Sequence, residues 1–410
     1  MNEDTDIEEL KKIFNYPVET VTEGSAKILI PRRDAFRKDN SDRAASKAPV
    51  FYNLRMKLNR DIAIAVLQTF QKNVNRELRV TEPLTGCGVR GIRFSKEVGG
   101  IHKIYLNDIN SEAFKIAQYN ISLNAVGERI ILANEDANFF LSGYSGPHRR
   151  FDYIDIDPFG SPTIYMDSAV RALRDGGLIA LTATDLATLC GVYPKAALRK
   201  YGGLSLRTEY CHELALRLLC GCLASVAAKH DVGVKALLSY YADHYIRLYA
   251  TVSYGAKSTD ESIRKMGYVL HCFTCFHRET ATGLISDLKL QCPECGSLMK
   301  IAGPLWIGKI CEEKFCEKVK EEAATRHFDR KNDVMKILSL LVAESSAPAT
   351  YYVIDRICDK VGIPIPRKRD VIEVLKKNGF KAHATHFNSR GVKTDAPAKK
   401  VTEIIKEIVT

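Results

Sequence analysis

No window of this 410-residue chain approaches the run of about 20 apolar residues that a membrane-spanning helix needs. The opening "MNEDTDIEELKK" is acidic and has no apolar centre, so it does not read as an export signal. Internal repeats and low-complexity tracts are missing too, which excludes solenoids, propellers and arrays. Carboxylates are in deficit, with 49 Asp+Glu against 60 Lys+Arg and a formal charge of +11. A deficit of that sign argues for a polyanionic partner. More than half of it is local: residues 351–410 hold 13 Lys/Arg and 7 Asp/Glu, a surplus of +6. The expectation is a cytoplasmic protein with no membrane association and no evident obligate protein partner.

What is present describes a full globular core. Hydrophobic residues make up 46% and charged residues 27%, in a chain long enough for two or three domains. Twelve cysteines without an export signal read as thiols and metal ligands rather than disulfides.

Strand "AKILIP" is followed by "RRDAFRKDNSDRAASK", polar and expected to be mobile. Residues 51–73, "FYNLRMKLNRDIAIAVLQTFQKN", have helical periodicity at Met56, Ile62, Val66 and Phe70. Strands "LRV", "KIYLND", "RIILAN", "FDYIDID" and "GLIALTAT" then alternate with helical segments. This alternation predicts an α/β fold with a doubly wound parallel sheet whose ligands lie at the carboxyl ends of the strands. A long helix, "TEYCHELALRLLCGCLASVAAKH", precedes two β-rich runs, and "GAKSTDES" (255–262) reads as a linker. The expected division is a catalytic domain over 1–262, including an N-terminal extension, and a smaller α+β domain over 263–410.

"TEPLTGCGVRGIRF" carries Gly86-x-Gly88-x-x-Gly91 between a strand and a helix, a turn that lets backbone approach a ligand. Asp108 ends the next strand, 17 residues after Gly91, where a carboxylate can accept both ribose hydroxyls. Asp136 and Ala137 end the third strand, where an adenine edge would lie. Either Asp can instead be an ordinary helix N-cap. Three such features at successive strand ends point to an adenosine-containing cofactor, nicotinamide or S-adenosylmethionine.

The fourth strand chooses between them. "FDYIDIDPFGSP" ends in Asp157-Pro158-Phe159-Gly160. Taken alone this is a turn opener beside a core phenylalanine. Beside a cofactor crevice it suits methyl transfer to an exocyclic amine, whose lone pair is delocalised into its base. Asp157 and the Pro158 carbonyl can accept the two N–H groups and steer that lone pair, while Phe159 stacks on a flipped base.

With those residues stand "EGSAKILIP", "PVFYNLRMKLNRDIA", "GVRGIRF", "YLNDIN" and "ATHFNSRGVKTDAP". Together they resemble the tRNA guanine-26 N2-dimethyltransferases, in the shorter archaeal-type form, along nearly the whole chain. The resemblance implies a Rossmann-like class I methyltransferase domain, S-adenosyl-L-methionine as methyl donor, and two methylations of the N2 amine of guanine 26 in tRNA. It implies Asp157, Pro158 and Phe159 as catalytic residues, and Arg60, Arg90, Asp108, Asp136 and Ala137 as cofactor contacts. A guanidinium fork suits the methionine carboxylate. Leu54, Glu82 and Cys87 depart from the family's usual Pro, Asp and Thr or Ser; Glu82 can still hydrogen-bond within the loop. The alternatives are an N6-adenine methyltransferase and a non-catalytic zinc-ribbon RNA-binding protein.

Cys272-x-x-Cys275, sixteen residues, then Cys292-x-x-Cys295 is the spacing of one structural Zn²⁺ held by four thiolates. His271 and His277 flank it and are expected to be exposed. Cys220, Cys222, Cys311 and Cys316 are expected to be packing residues. Beyond them, three helices and a β-wing resemble a winged helix. Arg367, Lys368, Arg369, Lys376, Lys377, Arg390 and Lys393 cluster there with interleaved Tyr, His and Phe, and are expected to form a phosphate-binding face for tRNA.

Overall fold

The computed structural model describes residues 13–36, 48–283 and 288–409. Most of the polar stretch expected to be mobile, residues 37–47, lies outside the described residues; its start forms a short 3-10 turn, Arg33–Phe36. The chain divides into two compact units. The first comprises Met1–Asp157, Arg171–Arg174 and Glu322–Val334, the second Pro158–Val170, Asp175–Glu321 and Met335–Thr410.

The first unit opens with a hairpin, β1 (Val18–Glu23) and β2 (Ala26–Pro31), and helix α1 (Lys57–Val74). Then come β3 (Leu78–Glu82), α2 (Val89–Glu97), β4 (Ile101–Asn107), α3 (Ser111–Leu123), β5 (Ile130–Ala133), α4 (Ala137–Ser142) and β6 (Phe151–Ile156). Its strands run parallel in the order β5-β4-β3-β6. The order reverses at β3, and the loop after that strand therefore opens at a topological switch point, where such sheets bind ligands. β6 is buried at all six positions, as a strand covered on both faces must be.

Buried ion pairs tie the elements of this unit together. Glu23, at the end of β1, accepts two bonds from Arg60 (2.5 and 2.6 Å), one from Tyr52 Oη (2.8 Å) and one from Arg93 (3.0 Å). Burial alone would raise the Glu23 carboxyl, but Arg60 and Arg93 overcome it and hold it at about 2. Asn120 of α3 bonds both ways with Leu29 of β2 and donates to the carbonyl of Cys87, tying the hairpin to the glycine loop.

The second unit contains most of α5 (Met166–Ala172) and of β7 (Leu173–Ala183), whose adjoining residues Arg171–Arg174 belong to the first, then α6 (Leu186–Leu189), α7 (Pro194–Tyr201), α8 (Cys211–Ala228), β8 (Val232–Ala242) and β9 (Tyr245–Tyr254). Both neighbours of β9, namely β7 and β8, run antiparallel to it. Helix α8 corrects the reading that no stretch nears a membrane span: it is 18 residues long and apolar enough, and 72% of it is buried within the protein.

Residues 255–262 also differ from expectation. They form α9 (Ala256–Ile263), not a linker. Gly255 breaks the strand at φ +113°, the carbonyl of Gly255 accepts the Ser258 and Thr259 hydroxyls, and Ser262 Oγ accepts from Val234 N of β8 at 3.2 Å. Short polar side chains that hydrogen-bond backbone are as good at a helix start as in a loop, so composition alone could not separate the two.

Then follow β10 (Met266–His271), β11 (Arg278–Thr282), β12 (Lys300–Trp306), α10 (Glu313–Ala324) and α11 (Lys331–Glu344). After these come β13 (Tyr352–Val353), α12 (Ile354–Val361), α13 (Lys368–Lys377), β14 (Ala382–Ala384), β15 (Gly391–Thr394) and α14 (Ala398–Val409). Strand order is β11-β10-β12 in one small sheet and β13-β15-β14 in the other.

The basic cluster on these last elements splits. Arg367, Arg369, Lys376 and Lys377 are exposed. Arg390 is half-buried against Asp355 (2.7 Å) and the Pro366 carbonyl (3.1 Å). Lys393 is no surface charge at all: its side chain is 2% exposed and its ammonium sits 2.8 Å from Glu213 of α8. Tyr351, Tyr352 and Phe387 are core residues. Lys393 lies on a strand whose four residues are all buried, so alternation could not put it outside.

Burial alone would raise the Glu213 carboxyl, but Lys393 and Arg217 overcome it and hold it at about 2 against an ordinary 4.5. That stabilisation is complete above pH 4.5 and disappears as pH falls towards 2, with a size on the order of 3 kcal/mol. Urea unfolding at a series of pH values checks it. The stability gap between wild type and Glu213→Gln should narrow from pH 4.5 downwards, and parallel curves would assign the acid sensitivity to other groups.

Candidate active site and metal centre

In the first unit the glycine loop follows β3. Gly86 and Gly88 adopt φ +57° and +79°, a region that favours glycine. Gly91 is required by contact: a Cβ there would lie 2.4 Å from a Leu106 methyl on β4. Asp108, one residue past β4, accepts from Gly86 N (2.8 Å) and Asn110 N (3.0 Å), one bond per oxygen. Burial raises its carboxyl above the ordinary range, against those two bonds. Asp136 caps α4 by accepting from Asn138 N (2.9 Å) and Phe139 N (3.0 Å), and Ala137 is the buried first residue of that helix. Asn107, which sequence reasoning missed, ties two strand ends together: its amide donates to the Pro83 and Glu135 carbonyls and accepts from Glu135 N.

Both arginines expected at the cofactor are buried, and their forks are engaged by the chain itself. Arg60 holds Glu23, with Tyr52 under its guanidinium at 5.2 Å. Arg90 is the hub of a denser group. Its Nε lies 2.9 Å from Glu82, its Nη1 donates to Asn59 (2.8 Å) and lies 3.4 Å from Asp155, and its Nη2 donates to Asp157. Glu82 also accepts from Thr85 Oγ1 at 3.2 Å, the hydrogen bond within the loop expected of it. Burial, with the nearby Asp155 and Asp157 charges, raises the Glu82 carboxyl well above the ordinary range despite Arg90. Cys87 is buried and its thiol is raised to about 12 by that burial, so it offers no anion to the loop.

Asp155 is a member of the site that motif reading does not single out, although strand periodicity signals it. Alternate residues of a strand share a face, so Tyr153, Asp155 and Asp157 project together. Tyr153 Oη donates to Asp155 at 2.6 Å, which fixes the carboxylate next to the one that ends the strand.

Asp157 is the last residue of the first unit and the only member of the group with substantial exposure, 20% of its side chain against 4% for Arg90. The chain continues into the second unit as Pro158-Phe159-Gly160. Phe159 is 66% exposed, which removes the plain reading of it as a core residue. The turn behind it is held by two bonds: Gly160 N donates to Thr184 Oγ1 (2.8 Å) and Thr184 N to the Gly160 carbonyl (2.9 Å).

The four cysteines 272, 275, 292 and 295 converge in the second unit, all Sγ atoms within 4.8 Å of one another. Cys272–Cys295 and Cys275–Cys292 are each 3.5 Å apart. Thiolates about 2.3 Å from a tetrahedral Zn²⁺ would be about 3.8 Å apart, so the residues fit a structural zinc. Each knuckle closes on a backbone bond to its first cysteine, from Phe276 N and Gly296 N, with Phe276 at φ +63° and Gly296 at +72°. The apolar core beneath is four residues, Leu270, Cys272, Cys292 and Met299, too few to hold such a module without a staple. His271 is not exposed: it is fully buried, edge-on to Tyr210 and Phe273. His277 is largely buried as well, with its Nδ1 3.1 Å from Glu294. Cys220, Cys222, Cys311 and Cys316 are buried packing residues, as expected.

Residues 24–406 match the family model described as N2,N2-dimethylguanosine tRNA methyltransferase. The chain belongs to this family. It is 40% identical over 393 residues to the tRNA (guanine(26)-N(2))-dimethyltransferase of Methanobrevibacter smithii, covering 96% of this chain and 98% of that one. It is 36% identical over 394 residues to the tRNA (guanine(26)-N(2)/guanine(27)-N(2))-dimethyltransferase of Aquifex aeolicus, covering 95% and 96%. The structure of Trm1 from Pyrococcus horikoshii in complex with S-adenosyl-L-methionine superposes with a TM-score of 0.83 at 35% identity, covering 94% of this chain and 99% of that one. This family member has the α/β methyltransferase fold that the strand alternation predicted.

Proposed function

We propose that this protein transfers methyl groups from S-adenosyl-L-methionine to the N2 amine of guanine 26 in tRNA, twice per guanine, with one donor molecule consumed in each round. The observation that carries the reading is the carboxylate group around Arg90, which ends in a partly exposed Asp157 followed directly by an exposed Phe159, in a chain whose residues 24–406 match the family model.

Bound at the glycine loop, the donor supplies an electrophilic methyl on a sulfonium. The residues do the rest. Asp157 and the Pro158 carbonyl accept the two N–H groups of the amine and orient its lone pair, and Asp157 takes the proton released on transfer. Phe159 stacks on the guanine, which must leave its helical stack to reach Asp157. Asp108 keeps lone pairs for ribose hydroxyls, and Asp136 with Ala137 lies where the adenine edge would bind. Arg90 or Arg60 would hold the methionine carboxylate by exchanging it for one of the chain's own. Arg90 suits that exchange, since three carboxyl groups already compete for it. The surplus of carboxyl groups also favours a cationic sulfonium nearby.

Residues 1–262 are proposed to carry methyl transfer, and 263–410 to hold the zinc module and the tRNA through Arg367, Arg369, Lys376 and Lys377, in the cytoplasm.

The test is methyl transfer from labelled S-adenosyl-L-methionine to an unmodified tRNA transcript, with nucleoside analysis and mapping. Dimethylguanosine at position 26, absent from a transcript with adenine there, is the expected product. Product confined to guanine 27 would reassign the site, and methylated adenine would replace the substrate. For Phe159→Ala, a stacking loss of about 1–3 kcal/mol predicts a KM for tRNA raised about 5- to 150-fold, with donor affinity unchanged. Steady-state kinetics on both substrates checks it.

A further inference from the structure

Among the described residues, two groups of three or more His, Cys, Asp and Glu bring their ligand atoms within 4.8 Å of one another: the four-cysteine centre, and Cys190, Cys211 and His212. Sequence spacing gives no hint of the second group, because a lone Cys190 and the adjacent pair Cys211-His212 lack the paired C-x-x-C pattern that marks the first. We infer that Cys190, Cys211 and His212 form a second metal site, for a zinc ion held by two thiolates and one imidazole.

The donor set and its setting both suit zinc. Two sulfurs and one nitrogen are soft-to-borderline ligands of the kind zinc takes, and bond lengths of about 2.0–2.3 Å require ligand atoms roughly 3.5–3.8 Å apart. Cys190 is 7% exposed, and Cys211 and His212 are partly buried. Two thiolates cancel the charge of a divalent ion, so the site is neutral as a whole, which a buried position favours. Loading the site releases the two thiol protons to solvent and changes no oxidation state. Cys211 is the first residue of α8, a helix-start environment that favours thiolate. His212 is oriented before any metal arrives, because its ring lies on that of Tyr241 with centroids 3.9 Å apart and planes within 10°. Three protein ligands leave a fourth position for water.

Occupancy would pin the segment after β7 to the start of α8. That segment begins with Thr184, which holds Gly160, and Asp185, which accepts from Tyr201 Oη at 2.5 Å. Cys190 follows α6 six residues after Thr184. The metal would therefore act through the backbone behind Phe159, as a positioning element that does not touch the base. The inference rests on this geometry and not on the substrate assignment.

The full chain, equilibrated with a small excess of zinc and dialysed, should hold two zinc ions per molecule by elemental mass spectrometry. Cys190→Ser and Cys211→Ser should each hold one. Cobalt replacement of the wild-type chain gives a second readout that needs no variant to fold: thiolate-to-metal charge-transfer intensity should correspond to six thiolates, four from the known spacing and two more. A wild-type chain that retains one zinc, a cobalt spectrum that saturates at four thiolates, or a Cys190–Cys211 disulfide in the peptide map would each overturn the site.

Discussion

Replacing Asp157 by Ala should lower the rate of methyl transfer by about 10²- to 10⁴-fold, the range of a positioned acid–base group, with little change in donor affinity. Two consequences of the substitution have to be separated. The first is chemical: the amine loses the acceptor that orients its lone pair and takes its proton. The second is electrostatic, because Arg90 loses one of its carboxylates. Glu82 and Asp155 remain within 2.9 and 3.4 Å of that guanidinium, so Arg90 stays paired and the fold should survive. Asp157→Asn keeps the shape and a hydrogen-bond acceptor but has no basicity. If orientation dominates, Asn should recover much of the loss; if proton acceptance dominates, Asn should resemble Ala. Single-turnover rates with saturating tRNA, beside calorimetric titration of the donor, decide it. A full-rate Asp157→Ala enzyme would remove Asp157 from the mechanism.

Stripping the metal from the four-cysteine centre should have the largest effect on structure. Zinc binding to small four-ligand sites is worth about 10–16 kcal/mol in apparent terms at neutral pH, nearly all of it coupled to folding. The two knuckles rest on a small buried cluster, Leu270, Cys272, Cys292 and Met299, and β11 has no buried residue, whereas Met266, Val269, Ala302, Leu305 and Trp306 bury β10 and β12 independently of the metal. Chelation, or Cys272→Ser with Cys292→Ser, should therefore abolish hydrogen-exchange protection at the two knuckle turns (Phe276 N and Gly296 N) and in β11, while β10 and β12 stay protected. Re-addition of zinc should restore it in the wild type alone. Protection that persists in the metal-free chain would show that the knuckles hold themselves. Exchange mass spectrometry by peptide resolves this segment from the rest of the molecule.

Much of this was legible along the chain because it depends on local spacing. The strand–helix alternation, the glycine turn, the knuckle pair and Asp157-Pro158-Phe159 are each patterns written along the chain, and local geometry follows from local sequence. Where short range was ambiguous, the reading failed. Polar residues 255–262 suit a helix start as well as a linker, and only packing against β8 chose the helix.

Burial and partnership were decided by the tertiary structure. Lys393 read as a surface cation because lysine normally is one. It is buried because folding places Glu213 beside it, and a buried charge persists only with a partner. His271 was misplaced for the same reason, in the opposite chemistry, as a polar ring enclosed by aromatic neighbours. Arg60 and Arg90 show the principle at the site itself. Sequence determined that two guanidiniums and several carboxylates would be available, whereas their pairing, Arg60 with Glu23 and Arg90 with Glu82, Asp155 and Asp157, required strands and helices to meet. The convergence of Cys190, Cys211 and His212 is of that kind too, since a lone cysteine and an adjacent Cys-His pair carry no ligand pattern to read until the chain has folded.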